Sequence, residues 1–145
     1  MSKVISIDPG KIKSGLVLAE IRKRKVYQAI VLKSKLLEDY VRNLNNVEDI
    51  SQIIIGNGTT SKEIRKKLDF FKKEIIDFEE KNTTFRAKER YFELFPNSGL
   101  KLLIPREFFI LNKNLDAISA LIILEDYCKM KFSLNQNIDF KTWRK

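Results

Sequence analysis

The sequence predicts an α/β fold: a mixed five-stranded sheet, three antiparallel strands then βα units, flanked by helices. Three observations lead there. Short β-rich runs separated by turn signals fill the first thirty residues, and the apolar spacing then lengthens to the helical period. The chain has 145 residues, 43% of them hydrophobic, with only 5 Gly and 3 Pro, so one domain with a real core is expected. No internal repeat or low-complexity segment divides it.

Val4–Ile7 is a short apolar run broken by Asp8-Pro9-Gly10, and it reads as the first strand. Gly15–Ile21 and Val26–Leu32 follow, joined by the charged turn Arg22-Lys23-Arg24-Lys25. The stripe Leu36, Leu37, Tyr40, Val41 and Leu44 predicts a helix over Ser34–Leu44 with Ser34 as its cap. Ser51–Ile55 is a fourth strand ending at Gly56-Asn57-Gly58. Thr60 or Ser61 then caps a helix to about Phe71, whose Ile64, Leu68 and Phe71 face the core. Glu74–Phe78 is the fifth strand, Thr83–Phe95 a helix, and residues 96–113 irregular. Asn114 caps a last, largely apolar helix reaching Met130. Residues 1–131 form the expected domain. The polar, basic tail 132–145 has no predicted place in it.

Absences narrow the chemistry. With no histidine, Ser-His-Asp and Cys-His catalysis and imidazole ligands are excluded. The single cysteine, Cys128, excludes an internal disulfide and a Cys-rich zinc site. Carboxylates remain, and these suit hard cations such as Mg²⁺ or Mn²⁺. No apolar run reaches a membrane-spanning length and no leader is evident, so a cytoplasmic protein without membrane contact is expected. The 28 basic and 19 acidic residues give a net charge of +9, which points to an anionic partner, although the Lys- and Asn-rich composition accounts for part of it.

Acids stand at three positions where ligands bind on α/β sheets. Asp8 ends the first strand, Glu79-Glu80 follows the fifth, and Asp116 opens the apolar last helix. Each has an ordinary explanation as a turn former or a helix-dipole partner. Together, in a basic protein without histidine, they are the candidates for holding two divalent ions in phosphodiester hydrolysis. Neighbouring side chains on a strand point to opposite faces, so only one of Glu79 and Glu80 shares a face with Asp8.

These residues also carry a resemblance. Ile7-Asp8-Pro9-Gly10, with Gly15 beyond, resembles the first motif of RuvC-type Holliday-junction resolvases. Glu79-Glu80-Lys81-Asn82-Thr83-Thr84 with Ala87 is similar to the Asp-Glu-Arg-x-Thr-Thr-x-x-Ala motif of the YqgF family. Asp116-Ala117-Ile118-Ser119-Ala120 through Leu124-Glu125-Asp126-Tyr127 is similar to that family's last helix. The resemblance runs from residue 4 to about 130. It implies an RNase H-like fold and a RuvC-like nuclease that uses Mg²⁺ or Mn²⁺, with Asp8, Glu80 and Asp116 as catalytic metal-binding acids and Glu79 as the alternative to Glu80. The family is assigned to 5′-end maturation of precursor 16S rRNA or to junction resolution. Glu79 and Lys81 depart from its usual Asp and Arg. Lys113 stands where RuvC carries a fourth acid, which points to the YqgF branch.

Candidate nucleic-acid contacts surround these acids: Lys11 and Lys13 in the first loop, Asn57 and Thr59 in the glycine turn, Lys62 and Arg65 on the next helix, and Lys81, Thr83 and Thr84 after the fifth strand. The glycine turn lacks the ending of a P-loop. Phe108 and Phe109 are candidates for core, dimer contact or base stacking. The expected partner is structured RNA or branched DNA, and the oligomer a monomer or homodimer. The third reading, a binding module without catalysis, keeps the same surface.

Overall fold

The computed structural model describes residues 2–44, 47–94, 115–135, 138 and 140–143. β1 (Lys3–Asp8), β2 (Lys13–Glu20) and β3 (Lys25–Lys33) form the expected antiparallel meander. The β2–β3 turn places Arg24 in the left-handed region at φ 51°. β4 (Ile50–Gly56) lies parallel to β1, and β5 (Glu74–Phe78) parallel to β4.

The expected five strands are corrected to seven among the described residues. β6 (Ser133–Leu134) and β7 (Phe140–Trp143) both pair in parallel with β3, giving the order β5-β4-β1-β2-β3 with the tail strands along the outer edge of β3. A two-residue strand carries no readable alternation, and pairing with β3 supplies what local sequence does not.

Alternation along the strands builds two cores. Ile5, Ile7, Leu16, Leu18, Ile53 and Ile55 face one side, where α1 (Leu37–Arg42) and α2 (Ser61–Lys67) bury Leu37, Val41 and Ile64. Val4, Val17, Ala19, Val31 and Ile54 face the other side and pack on α4 (Leu115–Cys128). Small residues on both surfaces, Ala117 and Ala120 on the helix and Ala19 and Ala29 on the sheet, allow a close approach. Ser6, buried among them, donates to the Ala120 carbonyl at 2.7 Å. α3 (Thr83–Leu94) covers the far side of α4 through Ala87, Ile118 and Ile122. Helix α4 is therefore apolar nearly all round because it lies between sheet and helix.

Two helices are shorter than expected. A 3₁₀ turn, Ser34–Leu36, precedes α1, and the Ser34 hydroxyl caps nothing; it donates to the Gly10 carbonyl at 2.6 Å and bonds the Ser14 hydroxyl at 2.7 Å. Likewise no side-chain cap opens α2. Thr60 makes no capping bond, and the Ser61 hydroxyl donates to the Gly58 carbonyl at 2.8 Å. That helix ends at Lys67, and Leu68 and Phe71 reach the same core from the turn beyond it. The capping residue Asn114, the stretch 96–113, Lys113, Phe108 and Phe109 lie outside the described residues.

A buried ion pair ties the end of α4 to α3 and the tail. Arg90 and Glu125, 11% and 8% exposed at their side chains, meet at 2.8 Å. Glu125 also accepts from the Phe132 backbone N–H at 2.8 Å, and Arg90 donates to the Phe132 carbonyl at 2.8 Å. Each charge thus has further partners, which buried charges require.

Candidate acidic active site

Strand parity places the acids. On β1, Val4 and Ser6 face α4, so Asp8 continues on that face. Its partner in register is Gly15, and a side chain there would have its Cβ 1.8 Å from the Asp116 carbonyl oxygen. Only glycine lets the first turn of α4 sit on β2 at this point, and that approach brings Asp116 beside Asp8. On β5, Ile76 and Phe78 face α4, and two residues on from Phe78 the same parity selects Glu80. Its carboxylate lies against Gly56, where a Cβ would stand 2.7 Å from Glu80 Oε2 and 2.7 Å from the Ile123 methyl. Glu79 points out to solvent.

A glycine at a strand end, such as Gly56, leaves room at its Cα for a close neighbour. In the structure its free space is taken by Glu80 and Ile123. Across the turn, the Asn57 N–H donates to the Phe78 carbonyl at 2.8 Å, which ties the end of β4 to the end of β5. Asn82, in the left-handed region at φ 55°, turns the chain from Glu80 into α3, and its carbonyl accepts from Arg86 at 3.0 Å. Asparagine tolerates that conformation better than most residues.

The electrostatics agree with this convergence. Asp8 is pushed up from 3.8 to about 7, first by burial and then by the negative charges of Glu80 and Asp116. Burial raises Glu80, with the charge of Asp126 adding to it. Burial also raises Asp116, against a lowering by Lys13. Glu80 Oε2 is buried and has no hydrogen-bond partner among the described residues. An uncompensated carboxylate oxygen among other carboxylates is a costly arrangement unless a cation or proton joins it.

Among the described residues no three acidic or cysteine side chains stand close enough, as placed, to hold an ion. The donor chemistry nevertheless fits a hard divalent cation: all-oxygen ligands, one of them an orphaned buried atom, with mutual repulsion that a cation would relieve.

The candidate contact residues divide. Lys13 stands near Asp116, and Lys11, Asn57, Thr59, Lys62 and Lys81 are exposed around the strand ends. Arg65 pairs with Asp77 of β5 and so is already engaged. Thr83 is buried at the start of α3, and the side chain of Thr84 lies outside the described residues. Sequence reasoning gave no role to Asp126, which is held by Arg86 through two bonds of 2.7 Å and adds to the negative field on Glu80. Its distance from Glu80 in the chain leaves no local signal.

No protein-family model matches the chain, nor does any curated protein. Among solved structures, T. thermophilus RuvC in complex with a Holliday junction substrate is similar at a TM-score of 0.50 and 12% identity. The match covers 89% of this chain and 96% of that one. At that identity the likeness speaks to architecture alone: the chain has a RuvC-like, RNase H-type fold.

Proposed function

We propose that this protein is a divalent-metal-dependent nuclease acting on structured RNA, with 5′-end maturation of precursor 16S rRNA as its reaction. The observation that carries the reading is the convergence of Asp8, Glu80 and Asp116 from three elements onto one end of a RuvC-like sheet, with Glu80 Oε2 buried and without a hydrogen-bond partner among the described residues. The RNA substrate rests on the YqgF-like motifs around Glu80 and Asp116.

Asp8, Glu80 and Asp116 would hold the ions. Bound there, Mg²⁺ or Mn²⁺ supplies Lewis-acid activation of water and stabilises the charge on the leaving oxygen. The chain's own contribution is positional. Gly15 and Gly56 leave the room that lets the Asp116 turn and the Glu80 carboxylate close on Asp8. Asp8, poised near pH 7, gives up its proton readily when positive charge arrives. Lys13 places a cation next to Asp116, where a phosphate would enter.

A second reading keeps the site and changes the substrate to four-way DNA junctions. It is favoured by the junction bound to the similar RuvC structure. Symmetric resolution there requires two active sites, hence a dimer.

The deciding experiment is cleavage of a labelled 16S-precursor fragment and a four-way DNA junction, in Mn²⁺ or in EDTA, by the wild type and Asp8→Asn. Metal-dependent cutting of the RNA, lowered by about a hundredfold or more in the variant, is the expected result. Preference for the junction would move the assignment to the second reading. Metal-independent RNA binding without turnover would replace both with a binding module.

A further inference from the structure

Two arginines join α3 to α4. Arg86 and Arg90 lie one turn apart on α3 and so share a face, and each takes one of two adjacent acids on α4. Arg90 meets Glu125 at 2.8 Å, and Arg86 holds Asp126 through two bonds of 2.7 Å. The two pairs differ in their surroundings. Arg90 and Glu125 are buried and also bond the Phe132 backbone. The side chains of Arg86 and Asp126 are 43% and 29% exposed, and among the described residues they hydrogen-bond to each other alone. An exposed pair adds little to global stability, and the buried pair already joins these helices.

The outer pair is set apart by its place. The segment leaving β5 carries Glu80 and is tethered at Asn82, whose carbonyl accepts from the Arg86 N–H at 3.0 Å. Glu80 Oε2 has no hydrogen-bond partner among the described residues, so its carboxylate is placed by the chain around it. Arg86 thus holds the Glu80 segment by its backbone and α4 by its side chain. On α4, Asp126 lies one turn beyond Ile123, whose methyl shares the space over Gly56 with the Glu80 carboxylate. The same helix carries Asp116 in its first turn. The Arg86–Asp126 fork therefore spans the two segments whose acids close on Asp8.

We propose that Arg86 and Asp126 are positioning residues: their fork locks the Glu80 segment to α4, so that Glu80 and Asp116 present a fixed pair of carboxylates to a divalent ion. A guanidinium and a carboxylate suit this task, because two parallel bonds fix orientation as well as distance. This rests on the nuclease reading and adds to it two residues that act through the acids.

The test is the Mn²⁺ affinity of the full chain, read from the electron paramagnetic resonance of the free ion, for the wild type, Arg86→Ala, Asp126→Ala and the double variant. Charge and position predict different signs. Asp126 bears on Glu80 as a negative charge, so by charge alone its loss weakens cation binding and the loss of Arg86 strengthens it. A lock fails when either half is removed. Both single variants are expected to bind Mn²⁺ about tenfold more weakly, the low end of what losing the support behind metal ligands costs. The double variant is expected to lie within about twofold of the weaker single one, because the fork can be lost only once. Melting midpoints in EDTA are expected to stay within about 3 °C of the wild type, as suits an exposed pair.

Unchanged or tighter binding by Arg86→Ala overturns the proposal and leaves Asp126 a charge effect on Glu80. A double variant weakened by the product of the two single effects overturns it as well, since the residues would then act independently. A larger fall in melting midpoint overturns it by assigning the pair to the stability of the fold. Each of these results leaves the nuclease reading intact. Failure of the wild type to bind Mn²⁺ removes that reading and this proposal together.

Discussion

At the scale of single residues, the site's properties follow from carboxylates that burial and one another keep from ionising freely. Asp8 has an ordinary value of 3.8 and stands at about 7 in the fold. Between those values the folded state holds a proton that the unfolded chain has released. Stability in the absence of metal therefore falls as pH rises from about 4 to about 7, and Glu80 and Asp116, also raised, act in the same direction. Thermal melts in EDTA should show the midpoint dropping across that window. Asp8→Asn removes the largest titrating contribution and should flatten the decline, and Mn²⁺ should restore stability most at the upper end, where the carboxylates are charged. A variant whose melting profile runs parallel to the wild type would show that Asp8 is not the group responsible. Only part of this was legible in the sequence. Alternation along β1 and β5 already ranks Glu80 over Glu79 once Phe78 is known to face α4. The roles of Gly15 and Gly56 were hidden, because each is defined by an atom more than twenty residues away.

At the scale of elements, agreement between sequence and structure follows the strength of local signal. The fifth strand spans Glu74–Phe78 in both, and the helix expected over Thr83–Phe95 is described as Thr83–Leu94. A run such as Ile75-Ile76 bounded by charged residues, and a helix of three turns, declare themselves through several residues at once. The short helices do not. Ser34 looks like a cap but turns its hydroxyl to Ser14 and Gly10, a choice that only the folded meander offers. The end of α4 shows the converse: a well-formed C-terminal cap made from an unsuitable residue. Met130 N–H bonds the Glu125 carbonyl at 3.1 Å and Lys129 N–H the Asp126 carbonyl at 3.3 Å, which places Lys129 in the left-handed region at φ 54°. That position ordinarily takes glycine. Lys129 is exposed, so Lys129→Gly relieves backbone strain without removing packing. It should stabilise the protein by about 1 kcal/mol, less a few tenths for the lost charge at the helix end, a rise of about 3 °C in melting temperature. A lower midpoint would mean that the lysine makes a compensating contact.

At the scale of the whole molecule, the sequence divides the chain into a domain over 1–131 and a tail, whereas the sheet continues through both. Phe132 is 2% exposed in the α4 core, and its backbone supplies partners to both Arg90 and Glu125. Beyond it, Ser133 N–H bonds the Arg24 carbonyl at 2.9 Å and Asn135 N–H the Val26 carbonyl at 2.9 Å, while β7 pairs with Ala29 to Leu32. The tail thus closes the edge of a strand whose Val26, Ala29, Ile30, Val31 and Leu32 are all buried. An open edge of that composition invites pairing with another chain. Ending the protein at Lys131 should therefore expose β3, remove an apolar anchor from the core and strip hydrogen bonds from a buried ion pair. A loss of about 3 kcal/mol or more is expected from those three defects together, with concentration-dependent association in sedimentation. Ending it instead at Ile138 removes only β7 and keeps Phe132 and the Arg90–Glu125 bonds, so the loss should be smaller while the association persists. If the chain ending at Lys131 melts like the full protein and stays monodisperse, the tail is an appendage and the domain does close at residue 131.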